Sequence, residues 1–277
     1  HFESSIVTIP PVSKIRSPLL KAADRLSLGW KPEKFIARDK ETEKLRAVLD
    51  SWIWQRQCGN VYMSGLPGCG KTRTVEALIA KMDKKHFVSV YLNCGNINSQ
   101  DSFYSIFLHE LQLACGIDRF SLHSSSDGKL ARQKVIQLAL KNAKPVMVVL
   151  DEVDFLVVKN PLVLHSIFEL SKESKNRMAI VSIANALDLP QKLLPWLTVS
   201  SSMPHILPFE PYSSFELNAI VEQRLEDIPN TIDSASILLC VRSIAASTGD
   251  IRTALEVLRL AATDANADAE ALGKEPP

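Results

Sequence analysis

Residues 60–82 set an apolar run, a glycine-rich turn and a helical pattern in immediate succession, and this narrows the fold more than any other part of the chain. The turn reads Gly65-Leu66-Pro67-Gly68-Cys69-Gly70-Lys71-Thr72 and fits the G-x-x-x-x-G-K-[ST] pattern of a phosphate-binding loop. Glycines let the backbone turn tightly and point its N–H groups at phosphate oxygens. In such loops the lysine reaches the β- and γ-phosphates and the Ser/Thr hydroxyl ligates Mg²⁺, which makes Lys71 and Thr72 the candidates here. Asn60-Val61-Tyr62-Met63 reads as a short buried strand, and Arg73 to Met82 as the helix whose N-terminus faces the phosphates. With both flanks in place, a chance match is a poor explanation.

A second motif fits the first. Pro145 is followed by Val146-Met147-Val148-Val149-Leu150-Asp151-Glu152-Val153-Asp154. Five consecutive apolar residues predict a strand buried on both faces, as inside a parallel sheet. Acids at the end of such a strand are costly to desolvate unless they meet a metal or water. Asp151 is therefore the candidate Mg²⁺ partner, through its water shell. Glu152 is the candidate base that orients and polarises an attacking water. An acid pair alone fits an ordinary strand exit, but one that follows a phosphate loop points to a nucleoside triphosphatase site.

Composition bounds the class. A chain of 277 residues, 46% of them hydrophobic, exceeds the usual single domain and supports a real core. No apolar run approaches the roughly 18 to 20 residues of a membrane helix, and no secretory signal pattern opens the chain. Together these predict an intracellular protein with no membrane partner. The five cysteines, at 58, 69, 94, 115 and 240, show no C-x-x-C spacing and read as thiols of a reducing compartment rather than disulfides or a zinc site. The histidines show no ligand spacing either. Charge is unevenly spread: residues 1–205 carry 27 Lys and Arg against 19 acids, and residues 206–277 carry 5 against 12. A basic body can touch nucleic acid and an acidic end can face a basic partner. Neither half holds the dense Lys/Arg stripe that marks direct DNA binding.

Along the chain, residues 1–26 contain Pro10, Pro11 and Pro18 and predict an extended lead-in. Residues 27–205 alternate helices and strands: a helix opening at Arg38-Asp39-Lys40-Glu41, the phosphate-loop strand and helix, a strand over Phe87 to Leu92, two helices over Gln100 to Ala114 and Gly128 to Asn142, the acidic strand, a helix including Leu162 to Ser171, and a strand over Met178 to Ala184. A short fifth strand is predicted over Ile206 to Phe209. This alternation predicts an α/β fold with a parallel sheet and helices on both faces. Residues 206–277 are assigned to a small all-helical domain, with helices over Tyr212 to Glu226, Asp233 to Ser247 and Asp250 to Ala265. After a nucleotide-binding sheet, such a domain can act as a lid.

The order of these motifs resembles an AAA+ ATPase, within it the replication-initiator branch that includes the largest origin recognition complex subunit and the cell-division-cycle helicase-loader ATPase. Gly65–Thr72 matches the Walker A element and Leu150–Asp154 the Walker B element. Ser182-Ile183-Ala184-Asn185-Ala186-Leu187-Asp188-Leu189 resembles the sensor 1 segment, and Ser247-Thr248-Gly249-Asp250-Ile251-Arg252-Thr253-Ala254-Leu255 the sensor 2 segment. Pro208-Phe209-Glu210-Pro211-Tyr212 resembles the hinge into the lid, and residues 93–144 sit where initiators carry added helices that contact DNA or neighbours. The resemblance implies a RecA-like parallel sheet followed by a helical lid. It implies ATP or ADP with Mg²⁺, contacts at Pro67, Gly68, Cys69, Gly70, Lys71, Thr72 and Arg73, and further contacts at Ile36, Arg38 and Tyr212 near the base. Thr72 and Asp151 then serve Mg²⁺, Glu152 activates water, Asn185 positions it, and Arg252 reaches the γ-phosphate from the lid. Implied partners are other initiator subunits, origin DNA and the helicase-loading machinery, in the nucleus.

Two departures carry expectations of their own. Initiators place an arginine finger shortly before the hinge, yet Leu194-Pro195-Trp196-Leu197-Thr198-Val199-Ser200-Ser201-Ser202-Met203-Pro204-His205 has no arginine. A subunit without that residue can receive a finger but not donate one from this position, which predicts weak hydrolysis in isolation. The alternative is a nucleotide-stabilised assembly scaffold with little or no turnover. The given sequence also stops short of the winged-helix domain that follows in relatives, which predicts either a truncated chain or a family member without that domain, and the abrupt opening at His1 favours truncation.

Overall fold

The apolar run before Asp151 forms an inner strand of a five-stranded parallel sheet, as its lack of polar alternation predicts. The computed structural model describes residues 17–32, 36–95, 97, 99–117, 127–159, 162–185 and 203–272. The strands are β1 (Val61–Gly65), β2 (Val88–Asn93), β3 (Val146–Asp151), β4 (Met178–Ala184) and β5 (His205–Phe209). Their order is β2-β3-β4-β1-β5, every neighbouring pair parallel. The helices are α1 (Pro18–Leu26), α2 (Asp39–Gln55), α3 (Lys71–Lys81), α4 (Gln100–Ala114), α5 (Gly128–Lys141), α6 (Asp154–Lys159), α7 (Leu162–Glu173), α8 (Ser214–Leu225), α9 (Ser234–Ser247) and α10 (Ile251–Ala271). The serine-rich stretch 124–126, residues 186–189 of the sensor 1 match and 194–202 of the finger stretch lie outside the described residues.

The chain divides into two compact units. The first contains the sheet, spanning Glu33–Ser213 with the short segment Ser247–Ile251. Side chains alternate across each strand, so both faces need cover. Val146, Val148 and Leu150 join Phe103, Phe107 and Leu111 of α4, Val135 of α5 and Phe168 of α7 on one side. Met147 and Val149 join Leu45, Leu49 and Trp52 of α2 and Val75 and Leu78 of α3 on the other. Asn60 locks the entry to β1. Its buried amide donates to the Phe168 carbonyl and accepts from the Ile180 N–H, both at 3.2 Å, while its backbone carbonyl accepts from the His205 N–H at 2.8 Å.

The second unit is helical, built from α8, α9, α10 and, against the expectation of an extended lead-in to residue 26, α1. Ser17 caps α1 by accepting the Leu20 N–H at 3.2 Å, and Pro18 occupies the first turn. Proline there costs nothing, because that N–H has no helical partner anyway. Leu19, Ala22, Ala23 and Leu26 follow at helical spacing and are buried, with Leu19 and Ala23 packed on Ala262 of α10. Ser17 Oγ also hydrogen-bonds Asn266, and Arg224 of α8 donates to the carbonyls of Arg25 and Ser27 at 3.2 and 2.8 Å. The domain boundary expected at 206 falls inside β5, which pairs with β1, so the sheet unit runs on to Ser213.

Candidate functional site

In a parallel sheet the carboxyl ends of all strands share one edge, where ligands of such folds bind. Register aligns Asn93 with Asp151, Ser64 with Ala184 and Gly65 with Phe209. The phosphate loop therefore leaves β1 beside the exit of β4, which leads to Asn185, and the acid pair leaves β3 one strand further on.

The loop's shape depends on glycine at two positions. Gly68 and Gly70 have φ of 74° and 89°, in the left-handed region that side chains disfavour. A Cβ on Gly68 would lie 1.6 Å from Asp250 Oδ1, and one on Gly70 would lie 2.1 Å from the Tyr212 hydroxyl. Lys71 is buried at the N-terminus of α3, and its Nζ donates to the carbonyls of Gly65 and Leu66, each at 2.9 Å. The first N–H groups of a helix lack partners within it and favour an anion. Arg38, 4% exposed, braces the loop. Its Nε donates to the Cys69 carbonyl at 3.0 Å, its Nη2 to the Glu210 carbonyl at 2.6 Å and its Nη1 to Glu41 at 3.1 Å, and its guanidinium lies 4.0 Å from the Tyr212 ring centre. Arg38, expected near the base, also ties the loop to the Glu210–Tyr212 segment.

The acids are held as tightly. Asp151 is buried, its Oδ1 accepts the Glu152 N–H at 3.0 Å, and its Oδ2 accepts both the Thr72 hydroxyl at 2.9 Å and the Tyr91 hydroxyl at 2.5 Å. Thr72 and Asp151, named from separate motifs, thus meet directly. Glu152 has φ of 57°, a strained backbone for a residue with a side chain, of the kind that concentrates at functional sites. Its carboxylate lies over Gly95, where a Cβ would fall 2.6 Å from Oε2. Burial, and then the nearby carboxylates of Asp151, Glu152 and Asp154, push the Cys94 thiol up to about 12, so it stays protonated and inert. The Tyr91 phenol is also raised, by burial first and by its bond to Asp151 second, and remains a donor at neutral pH. The Asn185 N–H donates to Asp154 Oδ1 at 2.9 Å, and the Val153 N–H to the Ile183 carbonyl at 3.0 Å, which joins the exits of β3 and β4.

The other expected residues take varied places. Pro67 is exposed, Cys69 is buried, and Ile36 is half-buried beside Ala37, whose φ is 67°. Arg73 pairs with Glu76 along α3 at 2.6 Å. Arg252 is exposed near the start of α10, in the helical unit. Tyr91 escapes sequence reasoning, and Asp154 and Asp250 fall inside quoted motifs without being given a role. Tyr91 carries one usable signal, its position two before Asn93, which puts both on the same side of the end of β2.

Among the described residues no group of three or more His, Cys, Asp or Glu could hold a metal ion. A cation here would rely on Thr72, Asp151 and phosphate oxygens, the sparse protein ligation typical of Mg²⁺. The glycine-shaped loop, the helix N-terminus and the Thr72–Asp151 pair together fit a polyphosphate with Mg²⁺. If Tyr91 fixes the Asp151 carboxylate, Tyr91→Phe is expected to raise the Mg²⁺ concentration needed for nucleotide binding by about tenfold, as losing a partner of a ligand typically does. A Mg²⁺ titration of fluorescent-nucleotide binding checks this, with thermal stability as control.

A glycine-rich loop entering a helix beside an acid-tipped inner strand defines a phosphate-loop nucleotide-binding domain. A family model described as AAA domain matches residues 55–193, about half of the sequence, and the chain belongs to that family. Origin recognition complex subunit 1 of Dictyostelium discoideum is 30% identical over 261 residues, covering 89% of this chain and 40% of that protein. Cell division control protein 6 homolog of Homo sapiens is 29% identical over 235 residues, covering 83% and 41%. The solved structure of the Aeropyrum pernix ORC1 protein in complex with DNA has a TM-score of 0.66 and 25% identity, covering 91% of this chain and 65% of that one. The chain spans about two fifths of the length of the two curated relatives. The expected α/β AAA+ fold and the resemblance to replication initiators both hold.

Proposed function

We propose that this chain is an ATP-binding AAA+ subunit of a complex that recognises replication origins and loads the replicative helicase, working in the nucleus. The names of its relatives support the setting, and no helix among the described residues is long and apolar enough to cross a membrane. The observation that carries the chemistry is the 2.9 Å bond between Thr72 and Asp151, which joins the phosphate loop to the acid strand. When bound, ATP brings the scissile phosphoanhydride, and Mg²⁺ neutralises charge on its phosphates. Lys71 and the N–H groups of Gly68–Thr72 would hold the phosphates, and Thr72 and Asp151 would hold the cation. Pro67 and Arg73 would border the phosphates, with Ile36 and Tyr212 towards the base. Glu152 would orient the attacking water and draw on its proton, Asn185 would place that water, and Arg252 would couple the γ-phosphate to lid closure. Origin DNA and other initiator subunits would be partners, with assembly controlled by the nucleotide.

The stretch 194–205 has no arginine, so this chain would not donate a finger from that position, and the finger for its own site would come from a neighbouring subunit. An absent finger costs roughly 10³ to 10⁵ in turnover where one is used. Single-turnover hydrolysis by the isolated chain is therefore expected to be slow and to rise by at least about 10³ when initiator subunits bearing the arginine are added. Tight binding with no rise under any subunit combination would favour the second reading, a nucleotide-stabilised scaffold.

A further inference from the structure

The loops that enter the strands gather cations at the amino-terminal edge of the sheet, opposite the phosphate loop. Segments 56–60, 81–87, 141–145 and 172–177 hold nine Lys and Arg against two acids, which accounts for most of the positive excess of residues 1–205. Hydrogen bonds knit these segments into one rim. Lys144 Nζ donates to the Lys84 carbonyl at 3.4 Å, the Val146 N–H to the Arg177 carbonyl at 2.8 Å, and Asn176 Nδ2 to the Arg56 carbonyl at 3.0 Å. Arg177 is spent inside the rim, donating to the carbonyls of Ala139, Asn142 and Ala143. Both acids are engaged: Asp83 lies 3.7 Å from His86, and Glu173 lies 2.7 Å from Arg132.

A plainer explanation covers part of this charge. Lys81, Lys141 and Lys172 close α3, α5 and α7, where the helix dipole favours a cation. Lys84, Lys85, Lys144 and Lys175 stand beyond those last turns and are exposed, and among the described residues none of them makes an ion pair. They need another reason.

We propose that this rim is a sequence-independent contact for the backbone of duplex DNA. It rests on the initiator reading only for the identity of the polyanion. Strands about 4.8 Å apart spread the four loops over about 15 Å, enough to lie along a short run of successive phosphates on one face of the duplex. Lysines on short, mutually bonded loops present point charges, and among the described residues no helix begins in these loops to reach base edges, so the contact positions DNA without reading it. An acidic peptide would be drawn by the same charge. A regular phosphate array suits a line of separate lysines better than a peptide that needs side-chain pockets. Trp54 adds an exposed ring beside this rim, 4.7 Å from the His86 ring.

The test is fluorescence polarisation with a labelled random-sequence duplex about three helical turns long. It compares the parent chain, the rim variant Lys84→Glu/Lys85→Glu/Lys144→Glu, and a control variant Lys21→Glu/Lys44→Glu/Arg46→Glu reversed elsewhere on the surface. The rim variant is expected to bind at least about tenfold more weakly, with the slope of log affinity against log salt reduced by about three, while the control binds like the parent. Equal binding by rim variant and parent would overturn the proposal. So would a parent that ignores duplex yet binds polyglutamate through the same lysines, which would make the partner an acidic protein segment. Fluorescent-nucleotide binding on the same samples reports separately on the initiator reading and is expected to be unchanged in both variants.

Discussion

Glu152→Gln is expected to lower single-turnover ATP hydrolysis by roughly 10² to 10⁴, the usual contribution of a positioned general base, while nucleotide affinity stays near that of the parent. The side chain lies at the exit of β3, over Gly95 and next to an Asp151 carboxylate whose oxygens are both already bonded. Asp151 is thus engaged by Thr72 and Tyr91, and Glu152 is the acid proposed to meet water. Glutamine keeps the size of the side chain and can occupy the same strained backbone, but it cannot draw on a proton. Hydrolysis that survives the change intact would assign the base elsewhere.

Lys71→Ala is expected to weaken ATP binding by roughly 10- to 100-fold, since a hydrogen bond to a charged group contributes about 1.5–3 kcal/mol. Lys71 Nζ bonds the Gly65 and Leu66 carbonyls at 2.9 Å each, so truncation removes the proposed phosphate ligand and also loosens the loop. Lys71→Arg separates these effects. It keeps the charge, but a planar fork does not reproduce a compact ammonium, so affinity is expected to remain low while thermal stability recovers. Competition titrations against a fluorescent ATP analogue measure all three forms.

Motifs built from consecutive residues are legible in the amino-acid sequence. Gly65–Thr72 and Val146–Glu152 carry their chemistry in one stretch each, and the strands and helices around them follow from apolar patterning. What pairs across the sheet is not legible there. Tyr91 reaches Asp151 from another strand, and Asp154 reaches the Asn185 N–H. Neither contact has a sequence signature, because register decides it. Resemblance places Arg38 near the base, and only the fold shows its donors on Cys69, Glu210 and Glu41. Pro18 reads as a breaker, although the first turn of a helix accepts proline, and that hides α1. The basic rim is hidden for a topological reason: its lysines sit in segments tens of residues apart, and only the parallel sheet brings them to one edge.

The ATP-binding and hydrolysis roles proposed for this chain depend on Gly65–Thr72 and Asp151 forming a working nucleotide site. Calorimetric titration of the chain with ATP in Mg²⁺ tests that dependence most directly. Saturable binding at one site per chain is expected, competed by ADP and weakened when Mg²⁺ is removed. No saturable binding by a folded sample would contradict the site and leave the phosphate loop a relic of its family.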